Sequence, residues 1–209
     1  MEELKSLGVG QVPAVAYGGG VVHGWNPEGY ARLVGVPYAG TSKLPPRELG
    51  RRLDAILAAT QALAAVIPAE RMGWKPPERD RTLGDLAFHV FRVALSFPDT
   101  MDTGYLAESV FAENAPRDFV DGAAVARYGA LVRGRVAGWF EGAGEAEFAR
   151  DAGTYYGPQP AHEFLERTTW HCAQHLRQLH VLFERVGLTP PAPLDESLLR
   201  NLPLPASIW

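Results

Sequence analysis

Four long segments carry apolar residues at three- and four-residue spacing, each bounded by proline, glycine or a capping residue. That pattern restricts the chain to packed amphipathic helices. Leu49, Leu53, Ile56, Leu57, Leu63 and Ile67 predict a first helix over 47–67, stopped by Pro68. Thr82 followed by Asp85 resembles a capping box with Asp in place of Glu or Gln. The helix it opens runs through Leu86, His89, Val90, Val93 and Phe97 and is predicted to stop at Pro98. Asp121 caps a third helix carrying Val125, Tyr128, Val132, Val136 and Trp139 before Gly142. A fourth spans 160–186 and ends at Gly187. Four such helices in one compact length favour a mainly α fold, a four-helix bundle. The connection over 99–119 leaves room for a further helical turn at 105–111. Its length also permits a topology other than up-down-up-down.

The first forty residues differ in style. Val12 to Tyr17 and Val21 to His23 read as two strands joined by Gly18-Gly19-Gly20, a hairpin. Asn26-Pro27-Glu28 then starts a short helix that ends near Gly35. Residues 1–40 are therefore expected to form an extension, and 41–209 the bundle with a C-terminal arm. That arm, 188–209, is rich in proline and is expected to wrap the surface in an extended form. The triple glycine is a poor phosphate loop, since no lysine follows and a strand comes next.

Composition excludes several classes. Twenty basic and 24 acidic residues give a net charge of −4 with no basic cluster, which argues against nucleic acid as a partner. Cys172 is the sole cysteine, so no disulfide scaffold can form within one chain. The longest apolar runs fall far short of the ~20 residues of a membrane span, and Met1-Glu2-Glu3 lacks the basic start of a signal peptide. A cytoplasmic protein without membrane contact is expected.

The histidines are the chemically informative residues. At ~100° per residue, His171 and His175 stand ~40° apart on the fourth helix, on the face of Phe164, Thr168, Gln178 and Leu182. His162 and His180 fall ~180° away from His171, on the solvent side. On the second helix His89 shares its face with Leu86 and Val93. Three inward imidazoles on two helices can supply three nitrogen ligands and leave a fourth position to water, as in catalytic metal sites. The alternative is that each is a hydrogen-bonded core residue, because HxxxH by itself is a weak motif. Cys172 in place of Glu removes the HExxH of a metalloprotease. Cys172 itself reads as a small buried hydrophobe.

The inward histidine of the second helix, Tyr155-Tyr156-Gly157-Pro158, and the stretch from Trp170-His171-Cys172-Ala173-Gln174-His175 to Leu176-Arg177-Gln178-Leu179 resemble the DinB/YfiT family. The resemblance covers 47–187 and implies a DinB-like bundle with His89, His171 and His175 around one divalent ion. Zn, Ni, Fe and Mn all accept imidazole ligands. Gln11-Val12-Pro13-Ala14-Val15, the glycine turn and Gly24-Trp25-Asn26-Pro27-Glu28 resemble the second half of a glutaredoxin, which implies a cis bond at Val12-Pro13. The redox half of that fold is absent.

The DinB resemblance implies a metal-dependent transferase that adds a low-molecular-weight thiol to a small electrophile. Two other functions compete: a thiol-dependent isomerase of a small unsaturated acid, and a non-enzymatic stress-response or binding protein with a structural ion. Asp85, one turn before His89, is a candidate hydrogen-bond partner for it, in competition with its capping role. Trp74, Tyr155, Tyr156 and Trp170 are the expected lining of a cavity to the ion. A small-molecule substrate is the expected partner, with a homodimer as a further option.

Overall fold

The computed structural model describes residues 14–23, 27–38 and 43–208. The chain divides into two compact units, residues 1–43 and 44–209.

In the first unit, β1 (Ala14–Tyr17) pairs antiparallel with β2 (Gly20–His23), Tyr17 facing Gly20 across a Gly18-Gly19 turn. Both turn residues have positive φ, +57° and +81°, which glycine adopts without steric cost. Helix α1 (Pro27–Val34) follows and ends at Gly35. This is the expected hairpin and short helix. The Val12-Pro13 bond and Gly24-Trp25-Asn26, which carry much of the glutaredoxin resemblance, lie outside the described residues.

The second unit is the bundle. Its four long helices are α2 (Pro46–Ala65), α4 (Leu83–Thr103), α5 (Gly122–Gly142) and α6 (Ala161–Arg185); a single turn, α3 (Ala69–Met72), lies between the first two. Helix α2 packs on α5 and α6, and α4 packs on the same two, so α5 and α6 occupy opposite corners. The connections from α2 to α4 and from α5 to α6 therefore cross diagonals, and the topology is not up-down-up-down. Phe91, Phe97, Phe164 and Phe183 with Leu49, Leu53, Ile56 and Leu57 fill the core and are fully buried. Burying each contributes roughly 1.5–3 kcal/mol. At Gly129 of α5 an added Cβ would stand 2.4 Å from Phe91 Cζ, so the α4–α5 approach requires glycine there.

Pro98 does not stop α4. The helix continues to Thr103 and ends at Gly104, whose φ of +86° closes it with a bond from its N–H to the Thr100 carbonyl. Proline removes one backbone donor and crowds the preceding turn, a cost of about 3 kcal/mol. Phe97, Thr100 and Met101 are buried around it, and their packing offsets that cost.

The connection after α4 holds the expected helical turn as a 3-10 helix, Glu108–Ala112, preceded by an unexpected short strand, β3 (Tyr105–Leu106). The loop before α6 forms β4 (Asp151–Thr154), parallel to β3, and β5 (Gln159–Pro160), antiparallel to β4. Strands of two to four residues are too short to register as an alternating pattern.

After α6 the arm includes a 3-10 turn, Glu196–Leu199, and is held by its own backbone. Arg52 on α2 donates to the carbonyls of Leu198 and Arg200. On α6, Arg177 donates to the Pro205 carbonyl (2.9 Å), Gln174 to that of Ile208 (2.9 Å) and Gln178 to that of Ile208 (2.7 Å).

Candidate metal centre

Helices α4 and α6 bring His89, His171 and His175 together inside the bundle. Each offers one ring nitrogen, and the three lie within 4.8 Å of one another. The Nε2 atoms of His171 and His175 are 2.9 Å apart. Tetrahedral ligation at 2.0–2.1 Å separates donor atoms by about 3.3 Å, so the observed spread brackets what an ion requires. His89 is buried, while His171 and His175 are half-buried.

Hydrogen bonding selects the tautomer of His175. Gln178 uses its amide nitrogen on Ile208, so its Oε1 accepts from His175 Nδ1 at 2.6 Å. The His175 proton therefore sits on Nδ1, and Nε2 presents a lone pair toward His171. His89 Nδ1 is buried with no hydrogen-bond partner. An orphaned polar atom in a core needs an explanation, and a bound cation supplies one.

All three imidazoles are held neutral. Desolvation is the main cause in each. It takes His89 down to about 2, helped by His175 and the guanidiniums of Arg81 and Arg92. It takes His175 to about 4, where Gln178 opposes the shift and Arg81 and Arg79 add to it. His171 is lowered well below its ordinary value, with His175, His89, Arg167 and Arg81 contributing. Neutral imidazole is the form that ligates metals. The donor set, its protonation and the orphaned nitrogen together fit a divalent ion.

Around the triad, Phe111 stacks on His171 with rings 5.7 Å apart and 7° from parallel, and Trp170 stacks at 5.9 Å and 23°. Phe111 is held there by its loop. Arg81 donates to the Phe111 carbonyl (2.7 Å), Arg92 forms two bonds to Glu113 (2.5 and 3.0 Å), and Asp85 accepts from Ala115 N–H (2.9 Å). Asp85 is thus no partner of His89. It accepts from the Thr82 hydroxyl while its own N–H donates back to that oxygen, which caps α4.

A cavity of about 380 Å³ reaches His175 from outside, lined by Pro76, Arg79, Asp80, Arg81, Leu86, Gln178 and Leu182. The expected aromatic lining is absent from it. Trp74 packs half-buried against the core. Tyr155 stacks edge-on with Tyr156, and the Arg167 guanidinium lies 4.1 Å over the Tyr156 ring. Trp170 stacks on His171. Cys172 is fully buried and donates to the Val90 carbonyl (3.4 Å), and burial pushes its thiol pKa up. His162 bonds the Leu44 carbonyl (2.8 Å), and neither it nor His180 joins the triad.

The DinB superfamily profile matches residues 52–179, most of the bundle and all three histidines. The chain belongs to the DinB superfamily. Two crystal structures of DinB-like proteins share its fold. The one from Bacillus subtilis has a TM-score of 0.56 at 18% identity, over 70% of this chain and 96% of its own. The one from Bacillus cereus has a TM-score of 0.55 at 18% identity, over 66% and 91%. No curated protein matches the chain. Of the residues around the three histidines, sequence reasoning missed the roles of Phe111, Gln178, Arg79 and Arg81. Gln178 carried a usable signal, since three residues after His175 places it within reach on one helix face.

Proposed function

We propose that this chain holds a divalent ion on His89, His171 and His175 and is a transferase joining a low-molecular-weight thiol to a small electrophile. The observation that carries the reading is the gathering of three neutral imidazoles, one of which, His175, lines an open cavity. An ion bound there supplies the positive charge that lowers a thiol's pKa toward neutrality. The chain's own residues do the rest. Gln178 holds the His175 ring in one tautomer, and Phe111 and Trp170 fix the plane of His171. In the transfer the thiol proton passes to cavity water. A sulfur electron pair then forms the carbon–sulfur bond as the leaving group departs with the pair of the bond that breaks.

The test is turnover of a chloronitrobenzene with cysteine, glutathione and other small thiols, in protein loaded with Zn, Ni, Fe or Mn and checked by elemental analysis. The reading expects thiol-dependent turnover that disappears with metal in His171→Ala. Fully metallated protein inactive with every thiol would support the binding-protein class, and activity surviving His171→Ala would place the chemistry elsewhere.

A further inference from the structure

The last turn of the C-terminal arm is gripped by α6 through main-chain carbonyls. Arg177 donates to those of Pro205 (2.9 Å) and Ala206 (3.5 Å), and Gln174 to those of Ser207 (3.2 Å) and Ile208 (2.9 Å). Gln178 adds a bond to Ile208 at 2.7 Å. Upstream, Leu202 is buried and Leu204 packs against the core, whereas Pro205, Ala206 and Ser207 are exposed. Apolar burial thus anchors the arm as far as Leu204, and beyond it the bonds to α6 hold a strap, residues 205–208.

Gln178 stands between this strap and the histidines. A carbonyl oxygen can only accept, so Ile208 takes the amide NH2 of Gln178 and turns Oε1 toward His175 Nδ1. With the amide reversed, Oε1 would face the Ile208 carbonyl with no proton between two acceptors. The NH2 would then face Nδ1, which would have to accept. His175 would carry its proton on Nε2, the atom 2.9 Å from His171 Nε2, and that nitrogen could ligate nothing. Without the strap the reversed amide loses this penalty, because water donates to Oε1 as readily as it accepts from NH2. The two amide orientations then compete, and with them the two tautomers of His175.

We propose that residues 205–208 are a positioning strap: acting through Gln178, the Ile208 carbonyl selects the His175 tautomer whose Nε2 is free to ligate. With an ion in the site, strap docking and ion binding favour each other by the same factor. That coupling rests on the metal reading; the tautomer selection itself does not.

The experiment loosens the strap in two ways and reads His175. Gln174→Ala with Arg177→Ala removes its grips in the full chain without altering Gln178, and a chain lacking 205–209 removes the strap itself. Nitrogen-15 spectra of chelator-stripped protein in alkaline buffer should show the parent His175 protonated on Nδ1, and both loosened forms with mixed tautomers. Gln178→Glu offers two acceptor oxygens and no donor. In it the Nδ1 proton should persist with the strap loosened, a rescue that mere loss of structure would not produce. Zn affinity, by chelator competition, should fall about tenfold on loosening, but less than about twofold further where Gln178 is already Ala. Reciprocally, Zn should restore backbone order at Ala206 and Ser207 in Arg177→Ala, and fail to do so once Gln178 is Ala as well. A single His175 tautomer in every variant overturns the proposal, as does a loss of affinity equally large without Gln178. Protein that binds no Zn in any form sinks the metal reading, and the tautomer spectra then decide the strap by themselves.

Discussion

His175 Nδ1 donates to Gln178 Oε1 across 2.6 Å, while the amide nitrogen of the same glutamine holds the Ile208 carbonyl at 2.7 Å. One side chain thus joins a candidate metal ligand to the C-terminal arm. A histidine ligand whose second nitrogen is hydrogen-bonded is fixed in orientation and made more basic. Gln178→Ala is expected to weaken divalent-ion affinity by about 10- to 100-fold, measured by chelator competition. Nitrogen-15 spectra of the stripped variant should show His175 in mixed tautomers. A change below about twofold, with the tautomer intact, would remove Gln178 from the site.

The buried histidines also predict how stability depends on pH. Their folded pKa values lie below the ordinary 6.5, at about 2 for His89 and about 4 for His175, with His171 also lowered. Below pH ~6.5 the unfolded chain binds protons that the folded chain refuses, so stability falls as pH falls. It is fully present above that value. Each histidine contributes a slope of up to about 1.4 kcal/mol per pH unit. In metal-free protein, urea unfolding between about pH 7 and pH 5 should show this loss, and His89→Leu should flatten it. An unchanged slope in the variant would contradict the burial of a neutral His89.

Two glycines of α5 should respond in opposite directions. An added Cβ at Gly129 meets the buried Phe91 ring at 2.4 Å, whereas at exposed Gly138 it meets nothing within 4 Å. Gly138→Ala is expected to stabilise by about 0.5–1 kcal/mol through helix propensity. Gly129→Ala is expected to destabilise by about 1–3 kcal/mol through overpacking. Chemical denaturation of both variants checks the pair, and equal shifts would refute the close α4–α5 approach.

Asp85 should matter to the fold more than to the ion. Its substitution by Ala removes its bonds to the Thr82 hydroxyl and to the Ala115 N–H, but none to His89. A loss of about 1–2 kcal/mol is expected, with metal affinity within about twofold of the parent protein. A tenfold loss of affinity at unchanged stability would restore Asp85 as a partner of the site.

The bundle was legible because its signal is local and periodic. Leu49, Leu53, Ile56 and Leu57 mark one helix face by spacing alone, and all four are fully buried. His171 and His175 share one helix, so four-residue spacing sufficed to pair them, and the apolar company of His89 turned it inward. Pro98 was misleading because its cost is local while the packing of Phe97 and Met101 that offsets it is not. The β3–β4–β5 sheet was invisible, since its strands are too short for a period and pair across distant loops.

The amino-acid order by itself determined which faces of the four helices are buried and that three histidines point inward, because both follow from 3.6 residues per turn. Only tertiary structure decided what surrounds those histidines. Phe111 reaches His171 because Arg81, Arg92 and Asp85 pin a loop from elsewhere in the chain. The arm returns to Gln178 through backbone carbonyls, which every residue possesses and no motif records. Arg79 and Arg81 line the way to His175 rather than the expected aromatic rings. Helical periodicity orients a side chain about its own axis. Which loop side chains meet it depends on how the connections close over the bundle, and that is settled by packing between segments far apart in sequence.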